Sequence, residues 1–188
     1  DMSNLCSLEC PKCMRVQWKD KKKIPGKTMT VEQFKKIINY FKHIDFCGQI
    51  SDPIFNPNFI TFLSMCRDAE KSSTVHTAAS QRPISWYEKA FDTNPKTRWV
   101  FGLDGLPEES CMYRINQDGE KLFEVMKMGA KKGLQIDWQY IVFSYNEDHI
   151  QESYEMAKDN NIQFVINYSG RWKNEQDPYR PRNPEFSA

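Results

Sequence analysis

The sequence predicts an α/β fold built on a parallel sheet. Short apolar segments of strand length alternate with segments in which apolar residues recur at helical spacing, over most of the 188 residues. This alternation favours parallel pairing, because each return to a parallel strand needs a crossover. Six such units form either an open partial barrel or a doubly wound sheet, and periodicity does not choose between them. In both folds, ligands bind beyond the carboxyl ends of the strands.

The elements follow from local patterns along the chain. The first strand is expected at or before residues 1–4, and Thr30 with Gln33 forms a capping-box pattern for the first helix. Asn146 is expected to cap the last helix. We expect residues 1–170 to form one core domain and residues 171–188, which show no period, to form an irregular tail. The predicted helices are 31–44, 58–69, 84–91, 119–132 and 147–160, and the later strands are 44–49, 73–77, 98–103, 134–143 and 163–167.

Composition limits the classes of partner. There are 26 basic and 25 acidic residues, and the net charge of +1 disfavours nucleic acid. The one cationic cluster, Lys19 with residues 21–23, is expected to be a solvated loop. No apolar run approaches the roughly 18 residues that a membrane helix needs, so no membrane partner is expected. The first residues show no secretory pattern, and three of the six cysteines lie within eight residues. We therefore expect metal-binding cysteines in a reducing cytoplasm rather than disulfides.

The crowded cysteines are Cys6, Cys10 and Cys13, with the spacing C-x3-C-x2-C. Three thiolates this close can bind three irons of a cubane and leave the fourth iron open to a substrate or cofactor. Iron–sulfur proteins devoted to electron transfer normally supply four cysteines. Two alternatives remain, a non-catalytic iron–sulfur carrier and a zinc module completed by a remote ligand. A zinc site usually has a second ligand pair, whereas the three histidines are widely separated.

This motif, placed in a loop after the first predicted strand, resembles that of the radical S-adenosylmethionine (SAM) superfamily, and the resemblance spans residues 3–168. It implies a partial (β/α)6 TIM-type barrel in which Cys6, Cys10 and Cys13 hold a 4Fe–4S cluster and SAM takes the open iron. It also implies an enzyme in which the reduced cluster cleaves SAM to a 5′-deoxyadenosyl radical that removes hydrogen from a substrate. Lys12 stands where the family usually has an aromatic residue.

The same resemblance assigns SAM contacts. Residues 47–53 are similar to the family's Gly-Gly-Glu-Pro motif, which receives the SAM amino group. Asp104 keeps the carboxylate of the fourth-strand Ser-Ile-Asp-Gly motif, while Gly102 replaces its serine. Arg114 fits the arginine that pairs with the SAM carboxylate, since a guanidinium offers bidentate donors. The residues assigned to SAM are Gly48, Gln49, Ser51, Asp52, Thr77, Asp104 and Arg114.

Residues 105–114 and 138–146 most resemble family members with a C-terminal auxiliary-cluster region of the SPASM or twitch type, which often act on peptides. No cysteine follows Cys111, so those auxiliary ligands are not among these residues. The resemblance implies a peptide or small-molecule substrate and an external electron donor of the flavodoxin or ferredoxin type. The sequence leaves open which face of the fifth strand, 134–143, lines the barrel.

Overall fold

The computed structural model describes residues 1–18, 24 and 26–187, and its framework is a single parallel sheet. Five strands pair in the order β1-β2-β3-β4-β5, and every pair is parallel. A doubly wound sheet reverses its strand order, whereas this order is sequential throughout. The sheet is therefore the open arc of a partial barrel, which confirms the predicted fold class. The strands are β1 (His43–Phe46), β2 (Ser72–Thr77), β3 (Arg98–Gly102), β4 (Ile136–Ile141) and β5 (Gln163–Asn167).

Helices connect the strands. Of the cationic cluster predicted as a solvated loop, all the lysines lie outside the described residues. None of the helices that are described has the length and apolar character needed to cross a membrane. The α-helices are α1 (Met14–Gln17), α2 (Val31–Ile38), α3 (Phe59–Asp68), α4 (Ile84–Thr93), α5 (Gly119–Lys131) and α6 (Ile150–Asp159), with short 3-10 helices at Pro53–Phe55, Ser110–Met112 and Pro184–Phe186.

The two faces of the sheet differ in polarity. Side chains alternate along a strand, and Phe46, Val75, Trp99 and Trp138 lie buried in the core. Helices α2 to α5 pack against their neighbours in sequence order beside this core. The opposite face is polar and lines an open cavity of about 380 Å³. We call it the inner face; its residues are His43, Asp45, Thr74, His76, Arg98, Val100, Asp137, Gln139, Val165 and Asn167.

Residues 1–4 do not form the predicted first strand. The Met2 carbonyl accepts hydrogen bonds from Met29 N at 2.9 Å and from Asn56 Nδ2 at 2.8 Å. The Leu5 carbonyl, directly after this segment, accepts from Asp52 N at 2.9 Å. The backbone of this segment is therefore bonded to loops before α2 and after β1 instead of to a sheet edge, and the sheet formed by the described residues has five strands where six were expected.

Helix α2 is shorter than predicted. The capping box is present, because Gln33 N donates to Thr30 Oγ1 at 3.2 Å and Thr30 N donates to Gln33 Oε1 at 2.9 Å. The helix ends at Ile38, however, and Phe41 is 55% exposed. Ile44 belongs instead to β1, where it is buried. Phe41 fits the helical spacing of apolar residues in the sequence but does not pack on the core. The sequence pattern therefore extends beyond the end of the helix.

The C-terminal segment, residues 171–187, is irregular apart from one 3-10 turn, and it packs on the core. Glu147 is its main anchor, because its carboxylate accepts hydrogen bonds from the backbone N–H groups of Arg182 at 3.1 Å and Asn183 at 3.0 Å. The ring of Trp172 meets Phe143 edge-on, with centroids 5.9 Å apart. These contacts fix the segment beside the carboxyl end of β4.

Acid is expected to weaken the Glu147 anchor. Burial raises the pKa of the Glu147 carboxyl. The amides of Asn183 and Arg182 and the Arg182 guanidinium together lower it by more, so the pKa lies below its ordinary value of 4.5. The anchor therefore contributes fully above pH 4.5 and is lost as the pH falls through the folded-state pKa. We expect the protection factors of the Arg182 and Asn183 amides in hydrogen exchange to fall over that range. Glu147→Gln should lower them already at neutral pH; unchanged protection would contradict the role of the carboxylate.

Candidate functional site

A cavity of about 330 Å³ opens at the carboxyl ends of the strands, where the sequence places the site. Its walls come from residues 6–13, which we call the cysteine loop, from the loops after β1 and β2, and from the end of β3. All the residues predicted for the cluster and for SAM line it except Asp104, which contacts the lining residue Arg114 from behind. The lining residues drawn from the predicted set are Cys6, Cys10, Cys13, Gly48, Gln49, Ser51, Asp52, Thr77 and Arg114.

The cysteine loop is held by its own backbone and by Arg15. Cys13 N donates to the Cys10 carbonyl at 2.9 Å, and α1 begins directly after Cys13. Arg15 Nη1 donates to the carbonyls of Asn4 at 2.5 Å and Ile50 at 3.2 Å, which ties the loop to the segment after β1. Arg15 also lines the cavity, a role that the sequence reading missed. The sequence feature that could have indicated this role is the position of Arg15, a basic residue two positions after the third cysteine.

The thiols are free and partly withdrawn from water. Burial is the main cause that raises the pKa of Cys6 to about 12 and that of Cys10 to about 11. Such thiols ionise when a metal takes the place of the proton. Across the described residues, no three His, Cys, Asp or Glu side chains converge on one metal-ion position. A cubane cluster needs a different arrangement, with three thiolates spread around a cavity and each on its own iron. The donor set fits that group.

The loop after β1 folds back tightly on itself. A Cβ added at Gly48 would lie 2.1 Å from the Ser51 carbonyl oxygen, so only glycine allows this close approach. The Asp1 carboxylate accepts hydrogen bonds from Ile50 N at 3.2 Å and Ser51 Oγ at 2.9 Å. The loop therefore presents backbone groups to the cavity, and the Ser51 side chain is turned to Asp1.

Asp52 is fully engaged within the protein. Its carboxylate accepts hydrogen bonds from Thr77 Oγ1 at 2.8 Å, Ala78 N at 3.0 Å, Ala79 N at 3.1 Å and Ile54 N at 3.3 Å. Burial raises its pKa, while these donors act in the opposite direction. Asp52 and Thr77 thus tie the loop after β1 to the end of β2. Both side chains line the cavity, but they are hydrogen-bonded to each other.

Arg114 and Asp104 form a buried ion pair at the floor of the cavity. Arg114 Nε lies 2.8 Å from Asp104 Oδ2, and the Asp104 side chain is 0% exposed. Asp104 Oδ1 also accepts a hydrogen bond from Ile141 N at 2.9 Å, which fixes the carboxylate on the end of β4. Burial opposes the charge on Arg114, but Asp104 and Cys10 raise the pKa of the guanidinium. Asp104 therefore keeps the Arg114 guanidinium protonated beside the cysteines.

Gly102 makes room for this guanidinium. A Cβ at position 102 would lie 2.7 Å from Arg114 Nη2 and 2.9 Å from Cζ. The glycine that replaces the family's serine therefore accommodates the arginine, a relation that the sequence alone did not show.

Gly102→Ala is expected to displace Arg114. Because Asp104 restrains the guanidinium, the new methyl group cannot be relieved by a free rotation of the arginine, and we expect a loss of about 1–3 kcal/mol in the free energy of unfolding. Urea unfolding of the metal-free chain measures this loss. A stability equal to that of the wild type would show that Arg114 is not confined at Gly102.

Several lining residues were not predicted. Cys47 directly follows β1 and lines the same cavity as the three motif cysteines. His76 and Gln139 line both this cavity and the inner face, so the two spaces adjoin at these residues. Gln139 also settles the face of β4, because Trp138 and Tyr140 are buried in the core. The remaining lining residues are Leu8, Ile50, Ala78 and Gly102.

Asn146 does not cap α6, as had been expected. The residue before that helix is His149, and the Asn146 Oδ1 atom instead accepts a hydrogen bond from Phe143 N at 2.7 Å. Its Nδ2 atom donates to the Ile141 carbonyl at 3.0 Å. Asn146 therefore stabilises the turn after β4. This turn follows Ile141, whose N–H group holds the Asp104 carboxylate.

Solved structures of similar architecture include those of radical SAM enzymes. Streptococcus suis SuiB bound to S-adenosylmethionine superposes with a TM-score of 0.75 at 16% identity, covering 96% of this chain and 42% of that one. anSMEcpe with bound AdoMet gives 0.67 at 18% identity, covering 99% and 53%. Methylornithine synthase (PylB) gives 0.66 at 15% identity, covering 96% and 56%.

At these identities the likeness establishes the fold. The chain has the fold of the radical SAM core and spans about half of the length of these proteins or less. No family model matches the sequence. No curated protein matches it either.

Proposed function

We propose that this chain is the core of a radical SAM enzyme, in which Cys6, Cys10 and Cys13 hold a 4Fe–4S cluster and the same cavity binds SAM. The observation that carries the proposal is the meeting of three free thiols with Arg114 in one cavity at the carboxyl edge of a partial barrel. When bound, the reduced cluster and SAM supply a 5′-deoxyadenosyl radical that abstracts hydrogen from the substrate. The protein supplies orientation and excludes competing reactions.

The chain's own groups suit the two ends of the methionyl part of SAM. Arg114 lines the cavity and its Nη atoms lie beside Gly102, so these donors suit a carboxylate bound in the cavity. The tight loop from Gly48 to Ser51 offers backbone carbonyl acceptors for an ammonium group. In this assignment Asp52 and Thr77 hold the loop after β1 in its conformation, and Asp104 orients the Arg114 guanidinium. None of these three needs to touch SAM.

We place the substrate along the inner face of the sheet, next to His76 and Gln139. The side chains of His43, Asp45 and His76 there are 42–55% exposed, so they are available to a polar ligand. A peptide is the favoured class, because the solved relatives include SuiB bound to the precursor peptide SuiA and anSMEcpe with the Cp18Cys peptide. A small molecule remains the alternative. An external flavodoxin- or ferredoxin-type donor would supply the electron, in a reducing cytoplasm.

One observation favours a second candidate, a non-catalytic iron–sulfur carrier. Cys47 lines the same cavity as the three motif cysteines, so the chain itself has a fourth thiol within that space. If Cys47 closed the fourth iron, SAM would have no open position. The zinc module has no observation of this kind in its favour.

The deciding experiment uses anaerobic reconstitution with iron and sulfide, reduction, addition of SAM, and chromatography for 5′-deoxyadenosine. We expect release of 5′-deoxyadenosine from the wild type and none from Cys10→Ala. The matched control is Cys111→Ser, because Cys111 is exposed and lies outside the cavity. That variant should retain full cluster content and full release.

Cys47→Ser separates the two candidates. In the enzyme, it should leave four irons per chain and SAM cleavage intact. In a carrier, Cys47→Ser should lose cluster iron, and the wild type should release no 5′-deoxyadenosine although its cluster is complete. That second pattern would overturn the enzyme proposal.

A further inference from the structure

Lys12, which directly precedes Cys13 in the cysteine loop, is buried against the C-terminal segment. Its Nζ atom forms an ion pair with Asp177 Oδ2, a partner 165 residues away in the sequence. The Lys12 side chain is 9% exposed and that of Asp177 is 1% exposed. Two charges that are so far withdrawn from water are stable only as a pair, since removing one leaves the other buried and uncompensated.

Asp177 is held in place by its own neighbourhood. Its Oδ2 atom accepts a hydrogen bond from Lys173 N at 3.0 Å, and its Oδ1 atom accepts from Tyr179 N at 3.2 Å. With burial opposing them, Lys12 and these amides lower the pKa of the carboxyl. The carboxylate is therefore a fixed acceptor, built by the turn around it, to which Lys12 is fastened.

Aromatic contacts join this turn to the floor of the cavity. The Tyr179 ring centroid lies 5.9 Å from Lys12 Nζ, within the range of a cation–π contact. The same ring meets Tyr113 edge-on at 5.3 Å, and Tyr113 stacks on Phe143 at 4.2 Å. Tyr113 directly precedes Arg114. One packed group thus connects the cysteine loop, the segment that carries Arg114 and the C-terminal segment.

We propose that Lys12 and Asp177 are positioning residues of the cysteine loop: Asp177 fastens the loop to the C-terminal segment and neutralises the charge that Lys12 places beside the cluster. The electrostatic part rests on the proposed function, because it concerns the cluster. The fastening part concerns the folded chain alone. Lys12 is adjacent to Cys13, so an unneutralised ammonium there would act on a bound cluster at short range.

The fastening is tested on the metal-free chain by limited trypsin digestion, with cleavage after Arg171 and Lys173 followed by mass spectrometry. The variants are Lys12→Met, Asp177→Asn and the double variant. We expect each single variant to be cleaved about tenfold faster, because one buried charge loses its partner. The double variant should be cleaved more slowly than either single variant, because it buries no unpaired charge. The matched control is Lys158→Met, from an exposed ion pair with Glu155, which should be cleaved at the wild-type rate. Wild-type rates in both single variants would overturn the proposal.

The electrostatic role is tested by the reduction potential of the reconstituted cluster, followed by electron paramagnetic resonance. Asp177→Asn leaves an unpaired positive charge and should raise the potential, whereas Lys12→Met leaves an unpaired negative charge and should lower it. The double variant should lie close to the wild type. A loop that is merely loosened would not give shifts of opposite sign, so shifts in one direction, or none, would overturn this role. A wild type that assembles no cluster would overturn the proposed function, and the cleavage rates would still decide the fastening.

Discussion

Asp104→Asn is expected to lower the free energy of unfolding by about 3–5 kcal/mol, because it leaves the buried Arg114 guanidinium without its counter-ion. The amide oxygen can still accept from Ile141 N, but the amide NH2 group then faces Arg114 Nε, and two donors oppose each other. Urea unfolding of the metal-free chain should show the loss as a lower midpoint. In the reconstituted protein, the proposed pairing of Arg114 with the SAM carboxylate predicts that calorimetry will show SAM binding at least about tenfold more weakly, because the guanidinium is displaced.

Asp148→Asn is the matched control for this variant. Asp148 also pairs with an arginine, Arg182, but its side chain is 74% exposed, and surface pairs of this kind contribute little. Its unfolding midpoint should match that of the wild type. Equal midpoints for Asp104→Asn and Asp148→Asn would refute the view that the buried pair holds Arg114.

Asp52→Asn should have an effect of similar size for a different reason. At least two of the hydrogen bonds from the loop after β2 go to a charged acceptor, and each is worth about 1.5–3 kcal/mol. An amide keeps only one acceptor oxygen, so its NH2 group faces either the N–H groups of Ala78 and Ala79 or the N–H group of Ile54. We expect a loss of about 3–5 kcal/mol in the free energy of unfolding, together with loosening of the Gly48–Ser51 turn.

The comparison variant is Asp45→Asn, the same change in the strand that precedes the loop. Asp45 is 55% exposed and faces the open inner face, so its stability in urea should be close to that of the wild type. Hydrogen exchange localises the effect of Asp52→Asn: the Ala78 and Ala79 amides should lose protection before the core of β3 does. A uniform loss across the sheet would contradict the assignment of Asp52 to this junction.

Local patterns were enough to predict most of the sheet. The strand over Gln163–Asn167 has the predicted bounds, and helix α3 is flanked by the two residues predicted as its ends. The failures lie where long-range contacts decide. The alternation of elements along the chain predicts a strand at residues 1–4, but the Met2 carbonyl is bonded to Met29 and Asn56, and no local pattern contains that choice.

The site divides in the same way. The spacing of Cys6, Cys10 and Cys13 is local, so it can be read from the sequence. The engagement of Asp52 by Thr77 and the space that Gly102 leaves for Arg114 depend on the register between strands. The pairing of Lys12 with Asp177 joins the two ends of the sequence, and a lysine in a cysteine loop gives no indication of it.

The open arc of five strands has a consequence for the size of the substrate. A closed barrel admits a ligand only through its mouth, so the ligand must be small enough to enter whole. Here the polar inner face adjoins the cavity at His76 and Gln139, and the side chains of His43, Asp45 and His76 on it are 42–55% exposed. The substrate placement that we propose along this face therefore suits a long, flexible polymer that lies lengthwise on the sheet while a single unit of it reaches the cavity. Selectivity in such an arrangement comes from where along the polymer the unit stands, as much as from the shape of the unit itself.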